Sequence, residues 1–327
     1  MESTTRRSNK REHQCKLSKL DQGGGDSRQE YVLHDGNTSK EISGKPRANL
    51  LNTEQEVICD VCQEQIMRSN CLRSNWGQSY CQKHAFDGTP TCSACSRFKI
   101  RNVEFFSLND GRMLCPDCHS TAVIDPESFK SIVSEVHNFY AALNMHIRKD
   151  IPVNLVDLFE MNILAPHQTG MPMGLTTYKI DAIPFVNWSL QQGMNIEVRH
   201  HCTVTGMTVL YGLPRLLTGR ILAHEFMHTW MRLQGYNNAI GTWVEEGMCE
   251  VMAYVWLDWY ALFGKEMYGE DEKASFLRNL KEHEMKRMER NPCRIYGDGF
   301  REAKSAVKIY GFEHTMKCIA YTGNFPC

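Results

Sequence analysis

From Pro126 onward the apolar positions fall into helical order. Phe129, Ile132, Val133, Val136, Phe139, Tyr140 and Leu143 recur at three- and four-residue intervals, the spacing that gathers side chains on one face of a helix. Asp125 offers a cap and Pro126 suits a first helical position, so a joining helix is predicted to begin there. Between 151 and about 213 the period shortens: "LTTYKI", "NIEVRH" and "CTVTGMTVLYGLP" alternate β-branched and aromatic residues and read as strands. After Pro214 the pattern is helical again. Leu216, Leu217, Ile221, Met227, Trp230, Met231 and Leu233 mark one helix with a stop at Gly235. "GTWVEEGMCEVMAYVWLDW" marks a second, returning antiparallel after a Gly-Tyr-Asn-Asn turn, with Thr242 and Glu245 at capping-box spacing. Strands followed by helices predict an α+β fold with a cleft where sheet and helices meet.

The stretch before Pro126 has a different texture. Residues 1–55 are rich in Ser, Gly, Lys, Asn and Asp, bury too little apolar surface to offset chain entropy, and are expected to be a disordered tail. Residues 56–124 are loop-rich and cysteine-rich, and 125–327 form the larger domain. A net charge of -1 over 327 residues gives no general attraction to nucleic acid or to a membrane surface. No apolar run reaches the length of a membrane span, and the N-terminus lacks the apolar core of a signal peptide, so the cytoplasm or nucleus is expected.

In that setting 14 cysteines point to metal ligation rather than disulfides. Cys59/Cys62, Cys81/His84, Cys92/Cys95 and Cys115/Cys118 form four two-ligand knuckles. Four ligands complete a tetrahedral zinc, so two structural zincs are predicted. Sequential pairing would join Cys59, Cys62, Cys81 and His84, then Cys92, Cys95, Cys115 and Cys118; cross-braced pairing, as in RING ubiquitin ligases, fits the Cys-then-His order. Spacing alone leaves both open. Cys71, His119 and the remaining cysteines read as bystanders, and His200 and His201 as structural or surface residues.

"AHEFMHTW" holds the sharper chemistry. His224 and His228 lie one helical turn apart and project from the same face, able to share one zinc, with Glu225 beside them as base. Glu246 on the second helix is the expected third ligand, preferred over Glu245, which is assigned to the cap. Glu250, one turn on, would hold a ligating histidine. Three protein ligands leave a place for water, and Glu225 would take its proton during attack on a carbonyl. Tyr296 in "RIYGDGFREA" is the candidate donor to the oxyanion, ahead of Tyr310 and His314.

The HEFMH stretch followed by "WVEEG" resembles gluzincin peptidases, and "WVEEGM", "YGDG" and "GLTTY" are similar to stretches of aminopeptidase N-type enzymes. The signature that grips a free amine is absent before "GLTTY", which favours internal cleavage. A closer likeness covers most of residues 56–327: "VLYGLPRLLTGRILAHEFMHTWMRLQGY", "VEEGMCEVMAYVWLD", "YGDGFREAKSAVKIYG", "TGNFP", "LNDGRMLCPDC" and "FYAALNM" resemble the plant DA-one and DA-one-related family. That resemblance implies a gluzincin-like peptidase lobe behind a LIM-like two-zinc module, and with it sequential pairing. It implies one catalytic zinc on His224, His228 and Glu246, with Glu225 catalytic, and two structural zincs. It also implies cleavage of growth-regulatory proteins, with ubiquitin or ubiquitin ligases among the partners. The competing expectations are a non-catalytic adaptor and a cross-braced ubiquitin ligase.

Overall fold

The protein is described by a computed structural model over residues 56–166, 170–189, 193–236 and 240–326, with His13–Ser18, 184–189 and 193–200 given by backbone alone. The rest of the expected tail over 1–55 lies outside the described residues, as do Asn237 and Asn238 of the expected turn. Among the described residues no helix is long and apolar enough to cross a membrane. The chain divides into two compact units, Leu20–Thr89 and Met1–Lys19 with Pro90–Cys327.

Within the tail, His13–Ser18 (β1) takes its hydrogen bonds from a strand of the larger unit. Composition could not reveal this, because a short edge strand needs a partner backbone more than it needs apolar residues. The smaller unit contains two hairpins: Glu56–Ile58 (β2) with Gln65–Met67 (β3), and Cys71–Arg73 (β4) with Ser79–Cys81 (β5). Asp60 ties them, its carboxylate accepting from the Ser79 N–H at 2.6 Å. The described residues buried here are chiefly metal-ligand types and their neighbours, Cys59, Val61, Ser79, Cys81 and His84. So small a core leaves much of the folding free energy to a metal.

The larger unit opens with Phe106–Ser107 (β6), Met113–Leu114 (β7) and the short helix Pro116–Ser120 (α1). Pro126–Ala142 (α2) begins as predicted, the Asp125 carboxylate accepting from the Ser128 N–H at 2.8 Å. Then come Val153–Val156 (β8), Leu158–Leu164 (α3), Pro172–Ser189 (β9) and Gly193–Leu210 (β10). The sheet runs β1-β9-β10-β8, antiparallel except for β8 against β10. "NIEVRH" and "CTVTGMTVL" are thus one strand, paired without interruption through His201 and bulged only further on, at Val204/Gly206.

Five helices follow: Arg215–Leu233 (α4), Thr242–Phe263 (α5), Glu272–Glu289 (α6), Gly299–Tyr310 (α7) and Phe312–Thr322 (α8), with a π-helical turn at Arg294–Asp298. The mixture of helix and sheet agrees with the α+β expectation. The core packs α2, α4 and α5 around Phe139, Tyr140, Phe226, Trp256 and Tyr260, all buried; each is worth roughly 1.5–3 kcal/mol or more of burial. Tyr140 donates to the Ala223 carbonyl at 2.5 Å, fixing α2 to α4 beside His224.

The expected domain boundary after residue 124 is not where the structure divides. The break falls at Thr89/Pro90, so the second cysteine cluster belongs to the larger unit. Its attachments are buried and polar. Arg112 donates to the Tyr211 carbonyl at 2.6 Å and forks onto Asp110, which also accepts from the Leu158 N–H at 3.0 Å. The Val123 N–H reaches the Leu213 carbonyl at 2.9 Å. Nothing in the local pattern of 106–123 announces partners nearly a hundred residues away.

Candidate metal centres

The four knuckles gather sequentially. Cys59, Cys62, Cys81 and His84 place one ligand atom each within 4.8 Å of one another, and Cys92, Cys95, Cys115 and Cys118 do the same. Sulfur pairs lie 3.9 and 4.0 Å apart in the first cluster and 3.8 Å apart in the second. Tetrahedral zinc–sulfur bonds of about 2.3 Å demand edges of roughly 3.8 Å, whereas a disulfide would need about 2.05 Å. His84 is set for ligation: Nδ1 lies 2.8 Å from both Asp87 and Thr89, and Nε2 is buried without a hydrogen-bond partner. Burial pushes the Cys59 thiol up, yet backbone N–H groups of Cys62, Cys81 and Val61 bring it to about 7. The residues present suit a metal, and the sequential grouping removes the basis for cross-bracing.

The third centre spans α4 and α5. His224 and His228 on α4 are both 0% exposed, and Glu246 on α5 is 2% exposed. Their facing atoms make a triangle: His224 Nε2 to Glu246 Oε2 3.1 Å, His224 Nε2 to His228 Nε2 3.1 Å, and His228 Nε2 to Glu246 Oε2 3.5 Å. Ligands about 2.0–2.1 Å from a tetrahedral metal lie roughly 3.3 Å apart, so the triangle has the size of three corners around one ion. Cys249 joins the two histidines in a looser group spanning up to 4.8 Å. Sequence reasoning left it among the bystander cysteines, although it follows Glu246 by a helical interval.

A carboxylate stands behind each imidazole. Glu250 Oε1 stands 3.2 Å from His224 Nδ1, close but without a hydrogen bond, and His228 Nδ1 lies 2.8 Å from Glu245 Oε1. The second contact corrects the capping-box reading. Gly241 precedes α5 with no side-chain cap, Thr242 is already helical, and Glu245 turns inward to His228 and to Arg232 at 2.5 Å. Burial works against ionising Glu245, but His228 and Arg232 hold its carboxyl well below the usual range. Glu246 too is held low despite burial, by His228 and His224.

Glu225 stands beside the triangle with its surroundings set by β9. Thr176 donates to its Oε2 at 2.7 Å, while Oε1 is buried without a hydrogen-bond partner. Burial raises this carboxyl to about 7 against the pull of both histidines and of Thr176. Tyr296 is half-buried on the π-helical turn. That turn leads directly into α7 at Gly299, where a Cβ on Gly247 would come within 2.4 Å of the Gly299 carbonyl oxygen. Only two bare backbones could meet so closely, and the contact seats the Tyr296 segment against the residue after Glu246. Neither Thr176 nor Gly174 was given a role in the centre, although both lie in the "GLTTY" stretch singled out by resemblance; nothing in a strand nearly fifty residues upstream says which of its residues face this helix. His201 is exposed, in keeping with its reading as a surface residue.

Two four-ligand clusters and a buried His–His–Glu triangle, in a mixed helix-and-sheet chain, are groups that could hold metal ions. The model of the DA1-like family ("Protein DA1") matches residues 142–322, and the chain belongs to that family. It is 35% identical over 301 residues to "Protein DA1" of Arabidopsis thaliana, covering 82% of this chain and 56% of that protein. It is 33% identical over 309 residues to "LIM domain-containing protein HDR3" of Oryza sativa subsp. japonica, covering 82% and 62%. "Protein DA1-related 1" of Arabidopsis thaliana is 32% identical over 305 residues, covering 82% and 55%. The chain therefore spans less than two thirds of the length of these relatives. No solved structure matches it.

Proposed function

We propose that this chain is a zinc-dependent endopeptidase, with His224, His228 and Glu246 holding the catalytic ion and the two cysteine clusters holding structural zincs. The observation that carries this reading is the triangle of Nε2, Nε2 and Oε2 atoms beside a base whose second oxygen is buried and unpartnered. A zinc bound there supplies Lewis acidity, polarising a carbonyl and lowering the pKa of water to about 7. The chain's residues do the rest. Glu225, held by Thr176, takes the proton of the attacking water through Oε1 and returns it to the departing amine. Glu245 and Glu250 keep both imidazoles turned so that Nε2 faces the ion. Tyr296 is proposed to donate to the developing oxyanion. Polypeptides are the proposed substrates; the link to growth-regulatory substrates, ubiquitin and ubiquitin ligases rests on the family resemblance alone.

The test is Glu225→Gln on the full chain. It should retain all three zincs while hydrolysis of a protein substrate falls by a factor on the order of 10²–10⁴. Turnover equal to wild type would remove Glu225 from the mechanism.

A further inference from the structure

Behind Glu250 lies a line of buried charge that the zinc chemistry does not itself use. Arg220 sits on α4 one turn before His224, and its side chain is 1% exposed. A guanidinium in such a place is costly unless carboxylates face it. Two do, one from each neighbouring helix. Arg220 Nη1 lies 3.8 Å from Glu250 Oε2 on α5, and Arg220 Nε lies 3.5 Å from Glu284 Oε2 on α6. Glu284 is in turn forked by Arg287 of α6 at 2.7 and 3.2 Å. Glu250 meets His224 Nδ1 with its other oxygen, at 3.2 Å. Alternating charges thus run from α6 through α4 and α5 to one imidazole of the triangle.

The spacing makes Arg220 a neighbouring charge rather than a hydrogen-bond donor to these carboxylates. At 3.5 and 3.8 Å its contacts exceed good hydrogen-bond length, and Nε and Nη1 have no hydrogen-bond partner. It acts as a buried charge between two carboxylates, drawing Glu250 back toward α4. Glu250 so held keeps its other oxygen 3.2 Å from Nδ1 of His224, a nitrogen with no hydrogen-bond partner, so the carboxylate acts on the ring as a nearby negative charge that favours a proton on Nδ1 and leaves Nε2 toward Glu246. We propose that Arg220, anchored by Glu284, is a positioning residue for the metal centre: it fixes Glu250, and through Glu250 the ring and tautomer of His224. The inference rests on the reading of His224, His228 and Glu246 as zinc ligands, but not on peptidase activity.

Zinc stoichiometry and affinity of the full chain, titrated against a chromophoric chelator, test it. Arg220→Met and Glu284→Gln should each weaken one of three zincs by about 10–100-fold, leaving the two cysteine-cluster zincs unchanged. Arg220→Lys, which keeps the charge, should stay near wild type. Glu284→Gln preserves volume and serves if Arg220→Met does not fold. The double variant Arg220→Met/Glu284→Gln removes a cation and an anion together, so it should regain melting temperature over Arg220→Met without regaining affinity. Unchanged affinity in the single variants, or affinity restored in the double variant, overturns the inference and leaves Arg220 as packing. A wild-type chain holding only two zincs overturns both the inference and the metal-centre reading beneath it.

Discussion

Gly174 is bare because the place its side chain would take belongs to Glu225. A Cβ there would lie 2.5 Å from Glu225 Oε1 and 2.6 Å from Ile221 Cγ2. Gly174→Ala should therefore cost about 1–3 kcal/mol through overpacking and, by displacing the base, lower turnover at least tenfold with three zincs still bound. Paired thermal melts and hydrolysis assays check this; full turnover would mean that Glu225 need not stand where it does. Glu246 and Cys249 allow a second residue-level test, since both lie close to the histidines. The tighter triangle assigns the third corner to Glu246, so Glu246→Ala should drop metal content from three zincs to two while Cys249→Ser keeps three. The opposite pattern by metal analysis would give that corner to sulfur. At this scale the grouping of His224, His228 and Glu246 was legible because HEFMH and "EEG" place these residues at helical intervals on two neighbouring helices. Glu245 was not, since the same spacing serves a cap or an inward grip, and only burial of the side chain separates the two.

Helix α6 contributes to stability in a way that pH can expose. Burial alone would raise the Glu284 carboxyl, but Arg287 and Arg220 overcome it and bring the group to about 2, below its ordinary 4.5. A carboxyl depressed on folding stabilises the protein fully above its unfolded value, and that stabilisation is lost as pH falls from about 4.5 through about 2. A shift of this size corresponds to roughly 3 kcal/mol. Denaturant unfolding of wild type and Glu284→Gln should show a stability gap that is widest above pH 5 and closes toward pH 2. Because Glu284→Gln is expected to hold one zinc more weakly, both proteins are compared after that zinc has been chelated away, and a gap that stayed constant across the window would detach Glu284 from the effect. The elements themselves were largely readable: the Asp125 cap, the start at Pro126 and the stop at Gly235, whose φ is 86°, all follow local rules. β9 and β10 pair as 18-residue strands that were read as shorter pieces, because alternation of β-branched and aromatic residues lapses at polar positions such as Arg199 to His201 while the backbone pairing runs on.

For the molecule as a whole, the division after Thr89 changes what can be cut away. A fragment starting at 125 would keep the His–His–Glu triangle but lose Arg112 from Tyr211, Asp110 from Leu158 and Val123 from Leu213. It would also uncover Gly212, which packs against Leu108 closely enough that a Cβ would lie 2.7 Å from the leucine. Each severed partner that stays buried costs about 1–3 kcal/mol, and several together approach the 5–15 kcal/mol of a whole domain. A fragment over 90–327 keeps these contacts and the ligands of two metals. It should purify as a monodisperse species with two zincs and a cooperative melt, while 125–327 should aggregate or melt without cooperativity. Size-exclusion chromatography, metal analysis and calorimetry on the two fragments decide the matter. If 125–327 proves as stable as 90–327, the polar attachments of the second cysteine cluster hold nothing together, and the boundary read from composition is the true one.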